Sequence, residues 1–562
     1  MTFNKYTLTV CLKETVMLSA ISDFNQTDKG LLKNQRVKLD QPITATPLLM
    51  FFCVIAGGLS FTAWSIYQDI QQSGAPITTY LPFALLAISL LIALGFEFVN
   101  GFHDTANAVA TVIYTHSMPA HIAVVWSGFF NFLGVMASSG AVAFGIVSLL
   151  PVELILQVGS SAGFAMVFAL LIAAIVWNLG TWWLGLPASS SHTLVGSIIG
   201  VGVANAMMRG RDGTSGVDWS KATEVGYSLL LSPVTGFIGA AFLLLMMKLF
   251  IRLPKLYEEP RGNQPPPWWI RGILILTCTG VSFAHGSNDG QKGMGLIMLI
   301  LIGTVPTSYA LNRALPQEFV AVFSTASDAA ASVIENKAIG HRVLGDPRPT
   351  VTNYISRHEL TEGTYPALSS LIQEISKQIK DYDKISEIPF AAVGNTRNDI
   401  YLASEAIRFL EKDKNSNLTN SDKKILRDYK SAIDKATKFI PTWVKIAVAI
   451  ALGLGTMIGW KRIVVTVGEK IGKEHLTYGQ GASAELVAMS TIAAADMYGM
   501  PVSTTHVLSS GVAGTMAANG SGVQMSTIRS LLMAWILTLP CAIILSGSLY
   551  FILNHALAMF SK

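Results

Sequence analysis

Long apolar runs dominate this chain, and short polar segments recur within or beside them. Residues 80–100, 163–186, 225–250, 440–460 and 528–556 are rich in aliphatic and aromatic side chains. Each run is near or above the roughly 20 residues that cross a bilayer as a helix. A segment in lipid must satisfy its own backbone, so these runs predict helices and exclude an open sheet. Allowing for spans interrupted by polar residues, the pattern predicts about ten to twelve transmembrane helices. A first span is expected over 46–67, running out in a polar stretch at Gln71, Gln72, Ser73 and Gly74. Another begins near 270, after Pro265, Pro266 and Pro267 stop the preceding segment. There Trp268 and Trp269 suit the headgroup level.

From about 312 to 440 the pattern changes to Lys, Asp, Glu, Asn and Ser. Leu368, Leu371, Ile372, Ile375 and Ile379 follow helical spacing, as do Ala403, Ala406, Ile407 and Leu410. These positions predict a small soluble helical insert, expected on the cytoplasmic side. The organisation is then a polar tail over 1–45, a first span and linker over 46–79, and a membrane repeat over 80–250. A loop and the start of a second repeat occupy 251–311. The insert fills 312–440, and the rest of the second repeat fills 441–562.

Two polar motifs each occur twice. Gly101-Phe102-His103-Asp104-Thr105-Ala106-Asn107 returns in altered form as Gly286-Ser287-Asn288-Asp289-Gly290-Gln291-Lys292. Leu186-Pro187-Ala188-Ser189-Ser190-Ser191-His192 returns as Met500-Pro501-Val502-Ser503-Thr504-Thr505-His506. Duplicated Gly- or Pro-broken membrane helices predict a transporter whose site lies between two repeats. The expected fold class is an all-α integral membrane protein with two such repeats, broken helices and the hydrophilic insert.

Composition agrees: 51% of residues are hydrophobic and 13% charged, against about 25% charged in a soluble domain. The net charge of +5 is ordinary for basic loops and implies no nucleic acid. Cys11, Cys53, Cys278 and Cys541 form no pair at metal-ligand spacing, so inert thiols are expected. Neither a resident metal nor a cofactor is expected. The tail lacks the basic-then-apolar layout of a signal peptide, so the first hydrophobic helix is expected to direct insertion.

A charge at mid-membrane depth costs at least ~2.5–3.5 kcal/mol on insertion scales, and a partner, cation or proton must offset it. Asp104 and Asn107 share a helix face at i,i+3. They offer oxygen ligands to a small cation, or a proton acceptor with an orienting amide; a plain polar link between helices is the alternative. In the second copy Lys292 stands where the first has Asn107. It can neutralise Asp289, present an ammonium to an anion, and crowd out a metal cation. The glycines around 286–295 do not have P-loop spacing, which excludes a nucleotide hydrolase of that type.

Pro187 and Pro501 each precede a helix start whose hydroxyls can cap it. Free N–H groups and the positive end of the helix dipole make such a start an anion site. Capping at the water surface is the alternative. The expected substrate contacts are Ser189, Ser190, Ser191, Thr193, Ser503, Thr504 and Thr505, with Asn288 and Lys292. His103, His192, His285 and His506 lie in or beside the motifs and can relay protons, or simply hydrogen-bond between helices. The expected proton or cation set is Asp104, Asn107, Asp289, Glu97 and these four histidines. Asp496 is a further candidate, and Glu485, opening a span, is expected at the interface.

These residues resemble the inorganic phosphate transporter (PiT) family, whose paired signature reads Gly-Ala-Asn-Asp-Val-Ala-Asn. Gly101, Asp104 and Asn107 match it, as do Gly286, Asn288 and Asp289. The segments 187–192 and 501–506 look like the family's second repeated motif. The resemblance covers roughly 80–250, 270–310 and 440–558, and not the tail or the insert's sequence. It implies inverted-topology repeats, orthophosphate uptake by cation symport and a homodimer in a bacterial inner membrane. His103 and Lys292 replace amides of the sodium-coupled members. That pattern resembles the proton-coupled, low-affinity bacterial branch, which also carries phosphate as a neutral complex with a divalent metal such as magnesium. Rivals on the same residues are sodium coupling, sulfate or another oxyanion, and an anion channel. A membrane phosphohydrolase needs a nucleophile–base set or clustered metal ligands, and the sequence spacing offers neither.

Overall fold

The computed structural model describes residues 39, 45–73, 80–150, 152–156, 159–260, 264–338 and 345–560. Most of the expected polar tail lies outside them. Among the described residues the chain is helical and has no strand. Helix α1 is Ala45–Ser73, so it takes in Gln71, Gln72 and Ser73 of the stretch expected to follow the first span, while Gly74 lies outside the described residues. The first half contains α2 (Leu81–Tyr114), α3 (Ala120–Ala137), α4 (Ala141–Val147), α5 (Val152–Leu156), α6 (Ser161–Trp183), α7 (Ser190–Met208) and α8 (Trp219–Phe250). Helix α9 (Trp268–Thr304) opens the second half. The short α10 (Pro306–Tyr309) follows, and the insert then comprises α11 (Glu318–Ala338), α12 (Arg348–Arg357), α13 (Thr364–Lys380), α14 (Phe390–Lys412) and α15 (Asn420–Thr437). The second half resumes with α16 (Thr442–Gly455), α17 (Lys461–Val465), α18 (Tyr478–Met497), α19 (Thr504–Asn519) and α20 (Met525–Phe560).

Helix α8 shows how the sequence sets the packing. Val225, Leu229, Ser232, Gly236, Ala240 and Leu244 form one buried stripe at helical spacing. Leu230, Val234, Ile238, Phe242 and Leu249 are exposed on other faces. Exposed aliphatic bands of this kind also line α20 at Ile536, Ile544 and Ile552. Water would oppose such surfaces, whereas lipid is their natural solvent.

The two halves are interleaved by reciprocal pairing. Helix α2 packs on α16, while α9 packs on α3. Helix α8 packs on α19, while α20 packs on α7. Thus corresponding helices of each half find their partner in the other. The contacts are backbone-close. A Cβ on Gly101 would lie 2.2 Å from the Leu452 carbonyl oxygen, and one on Gly286 would lie 2.1 Å from that of Asn131. Small residues let membrane helices approach this far, and dispersion and weak polar contacts then hold them.

Two expectations need correction. The segments 101–107 and 286–292 were expected to interrupt their spans, yet α2 and α9 run through them. Glycine costs about 1 kcal/mol in a helix interior, and the close packing it permits here offsets that. The Pro187 and Pro501 segments do break the chain, between α6 and α7 and between α18 and α19. Secondly, seven helices among the described residues are long and apolar enough to cross a membrane alone, or eight if the bent pair α15–α16 is one span. Ten to twelve were expected. The difference is physical: α16 and α19 have 14 and 16 residues, and α9 and α18 are diluted by polar residues.

Gly286→Ala should destabilise the protein by about 1–3 kcal/mol, the usual cost of overpacking. Gly272→Ala, on the same helix with nothing within 4 Å, should be neutral or better. Thermal unfolding in detergent compares them; equal melting would refute the close contact of α9 with α3.

Candidate functional site

The four motifs, more than 300 residues apart at their extremes, meet at one buried point. Asp104 lies on α2 and is 2% exposed. Its Oδ2 accepts a hydrogen bond from Ser190 Oγ at 2.8 Å. Its Oδ1 accepts one from Thr505 Oγ1. Ser190 opens α7 and Thr505 lies in the first turn of α19. One carboxylate from the first half therefore ties the broken-helix starts of both halves.

Those starts are built alike. Ser189 Oγ accepts from the His192 N–H, and Ser503 Oγ from the His506 N–H, both at 3.2 Å. Each preceding proline is fastened by a helix packed on its motif's own helix: Trp535 of α20 donates Nε1–H to the Pro187 carbonyl at 3.0 Å, and Ser228 of α8 donates Oγ–H to that of Pro501 at 3.0 Å. Ser191 Oγ donates across to the Val502 carbonyl at 2.8 Å. The rings of His192 and His506 are 4.6 Å apart, and His506 stacks on Trp535 at 4.1 Å. His192 Nδ1 and His506 Nε2 are buried without a hydrogen-bond partner among the described residues.

Beside Asp104 lies the second carboxylate. Asp289 of α9 is fully buried, with Lys292 Nζ 2.6 Å from its Oδ2. Ser190 Oγ is 3.4 Å from that oxygen. His285 Nε2 stands 3.5 Å from Asp289 and 4.0 Å from Asp104. Its Nδ1 contacts Asn131 Oδ1 of α3 at 2.9 Å. His103 bridges Asp104 at 3.4 Å and Thr181 of α6 at 3.2 Å. Asp104, His285 and Asp289 each offer a ligand atom, all within 4.8 Å of one another. Such a cluster can share a proton or hold a small cation. It also amends the expectation of no clustered ligands, because three-dimensional proximity here is hidden by sequence separation.

Other expected residues take different places. Thr193 Oγ1 bonds the Asn178 side chain and the Ser189 carbonyl, so it secures α7 to α6. Asn288 fastens the second broken segment, donating to the Met500 carbonyl at 3.1 Å and accepting from the Val502 N–H at 3.4 Å. Thr504 is buried in the first turn of α19. Glu97 is fully buried on α2, accepting from Asn100 at 3.4 Å and pressed against Gly293 of α9. The Asn107 side chain lies outside the described residues. Asp496 accepts from Ser287 and Gln291, both at 2.6 Å, and so braces the second motif. Glu485 is not at an interface. It is fully buried and accepts from Thr111 of α2 and Thr277 of α9; sequence placed it at a helix start, but the true start is Tyr478.

Asn131 and Thr181 escaped the sequence argument because neither lies in a repeated motif. A signal existed for Asn131: with Ser127 it forms a polar i,i+4 pair on a helix that is apolar from Ile122 onward apart from these two.

A family model described as "Phosphate transporter family" matches residues 100–546. The chain is 42% identical to the low-affinity inorganic phosphate transporter PitA of Escherichia coli (strain K12), over 83% of this chain and 96% of that protein. It is 41% identical to the low-affinity inorganic phosphate transporter of Buchnera aphidicola subsp. Acyrthosiphon pisum (strain APS), over 86% and 98% of the two chains. A solved structure, "The sodium-dependent phosphate transporter", aligns with a TM-score of 0.47 at 19% identity, covering 84% of this chain and 99% of that one.

A double-mutant cycle with Asp104→Asn and Thr505→Val should give a coupling of about 0.6–1.7 kcal/mol in thermal unfolding, the range for hydrogen bonds between membrane helices. Additive losses would show that the two side chains do not meet.

Proposed function

This chain belongs to the phosphate transporter family, and from that premise we propose that it imports inorganic phosphate by proton symport across a bacterial inner membrane. The observation that carries this reading is Asp104, one buried carboxylate holding the starts of α7 and α19 side by side. Phosphate sits between those starts, taking hydrogen bonds from their N–H groups and from Ser190, Ser191, Thr504 and Thr505. A helix N-terminus suits an anion without further help. Lys292, held by Asp289 at 2.6 Å, neutralises part of the phosphate charge.

Coupling falls to the carboxylates. Asp104 and Asp289 share one imidazole, His285, while His103 stands against Asp104 and the Lys292 ammonium against Asp289. A sodium ion would need an oxygen cage where these cationic or proton-bearing groups stand. A proton instead transfers among them, and when it sits on Asp104 it weakens the acceptor for Ser190 and Thr505. The hydroxyls are then released toward the anion. Protonated phosphate can in turn donate a hydrogen bond to a carboxylate, which sulfate cannot. Glu97, His192 and His506 extend the proton route on either side of this cluster. Asn107 completes the cation-side set.

The energetic need for coupling is plain. Against an inside-negative membrane each negative charge costs ~2.3 kcal/mol per 100 mV, so a dianion must travel with positive charge. Carriage as a neutral complex with magnesium meets the same need. Reciprocal pairing of the halves supports inverted-topology repeats, whose rocking alternates access to a fixed midplane site. A homodimer would bury part of the lipid-facing surface.

In proteoliposomes with pH, sodium and magnesium varied independently, an imposed inward proton gradient should raise uptake of labelled phosphate, and a sodium gradient should not. Uptake driven by sodium and indifferent to pH would overturn the proton reading. Unlabelled sulfate should compete poorly.

A further inference from the structure

The insert is not a detached appendage. Arg408 of α14 pairs with Asp218 at 2.7 Å, and Asp218 caps the start of α8. The same arginine pairs with Glu405 at 2.7 Å. Burial disfavours its charge, but Glu405 and Asp218 outweigh that and raise its pKa. It is a structural clamp with its charge matched twice.

Arg397, three turns earlier on α14, is different. It is 7% exposed, and no carboxylate pairs with it among the described residues. Its neighbours are neutral: the Ile155 carbonyl at 3.5 Å, the Asn398 side chain at 3.1 Å and the Tyr401 ring at 5.3 Å. Burial lowers its pKa to about 10, with Tyr401 opposing. Buried charges are ordinarily paired, because an uncompensated one is strongly destabilising. Arg397 also lines a cavity of about 50 Å³ between α14, α4 and α9. Lys438 and Glu405 share that cavity, but Lys438 is bonded to Asp434 at 3.0 Å and Glu405 to Arg408.

The cavity is aligned with the transport site. Lys292, Gly295, Leu299 and Ile302 are spaced three, four and three residues apart, which places them on one face of α9. Gly295, Leu299 and Ile302 line the cavity, while Lys292 holds Asp289. From Lys292 to Ile302 is roughly 15 Å along the helix. A Cβ on Gly295 would lie 2.6 Å from the Ala143 carbonyl oxygen of α4, so this stripe is shut tightly in the present state.

We propose that the insert forms the wall of the transport route on its own side of the membrane, and that Arg397 is a phosphate-binding residue there. Inorganic phosphate moving between the Lys292 site and the insert-side water passes between α4 and α9, and Arg397 is the first unmatched cation it meets. This rests on the phosphate-transport reading above.

The test uses the full chain in proteoliposomes, with vesicle populations of known orientation and inorganic phosphate varied on one face at a time. Arg397→Gln should raise KM from the insert side roughly tenfold, the loss expected for one hydrogen bond to a charged group. KM from the opposite face should stay unchanged, and Arg397→Lys should recover most of the loss. A purely structural arginine would alter both faces together. Equal KM values for Arg397→Gln and the parent chain on both faces, an equal change on both, or no recovery by lysine would each overturn the proposal. If Arg397→Gln does not fold, the parent chain carries the test. Phosphate should slow phenylglyoxal modification of Arg397, and absence of protection would refute the site. Failure of the parent chain to take up phosphate would instead sink the transport reading itself.

Discussion

A single buried carboxylate organises the centre of this protein. Asp104 accepts hydrogen bonds from Ser190 and Thr505, residues from opposite halves of the chain. An ionised carboxylate cannot be left in lipid without partners. Its need for donors therefore draws two helix starts together. A helix start is itself rich in donors and carries a positive dipole end. One electrostatic requirement thus gathers two donor-rich helix starts around one carboxylate. Asp289 and Lys292 repeat the theme in a second form, with the cation supplied from the same helix.

This arrangement holds only because the halves interlock. Each half's first helix lies on the second helix of the other, at glycine contacts too close for any Cβ. Each broken segment is tied down at its proline carbonyl by Trp535 or Ser228. The glycines of the polar motifs are thus packing residues as well as neighbours of charge. That explains why α2 and α9 remain continuous where a break was expected.

Much of this is legible in one dimension. Hydropathy marks the membrane character and the insert, and duplicated motifs mark Asp104, Asp289 and both helix starts. What stays hidden is whatever depends on partners far away in the chain. Asn131 meets His285, and Glu485 lies between Thr111 and Thr277, through packing that no spacing encodes. The cluster of Asp104, His285 and Asp289 is hidden for the same reason. Thr193 shows the same dependence on a distant partner: its hydroxyl bonds the Asn178 side chain of α6 as well as the Ser189 carbonyl. Hydropathy counting misses α16 and α19 because they are short, and α9 and α18 because polar residues dilute them, whereas α2 and α7 pass although they carry Asp104 and Ser190.

The most direct test is to locate the anion itself. A structure of the full chain with arsenate, read by its anomalous scattering, should show the oxyanion at the starts of α7 and α19, within hydrogen-bond reach of Ser190 and Thr504 and beside Lys292. Arsenate bound elsewhere, with Ser190 and Thr505 still on Asp104, would contradict the account.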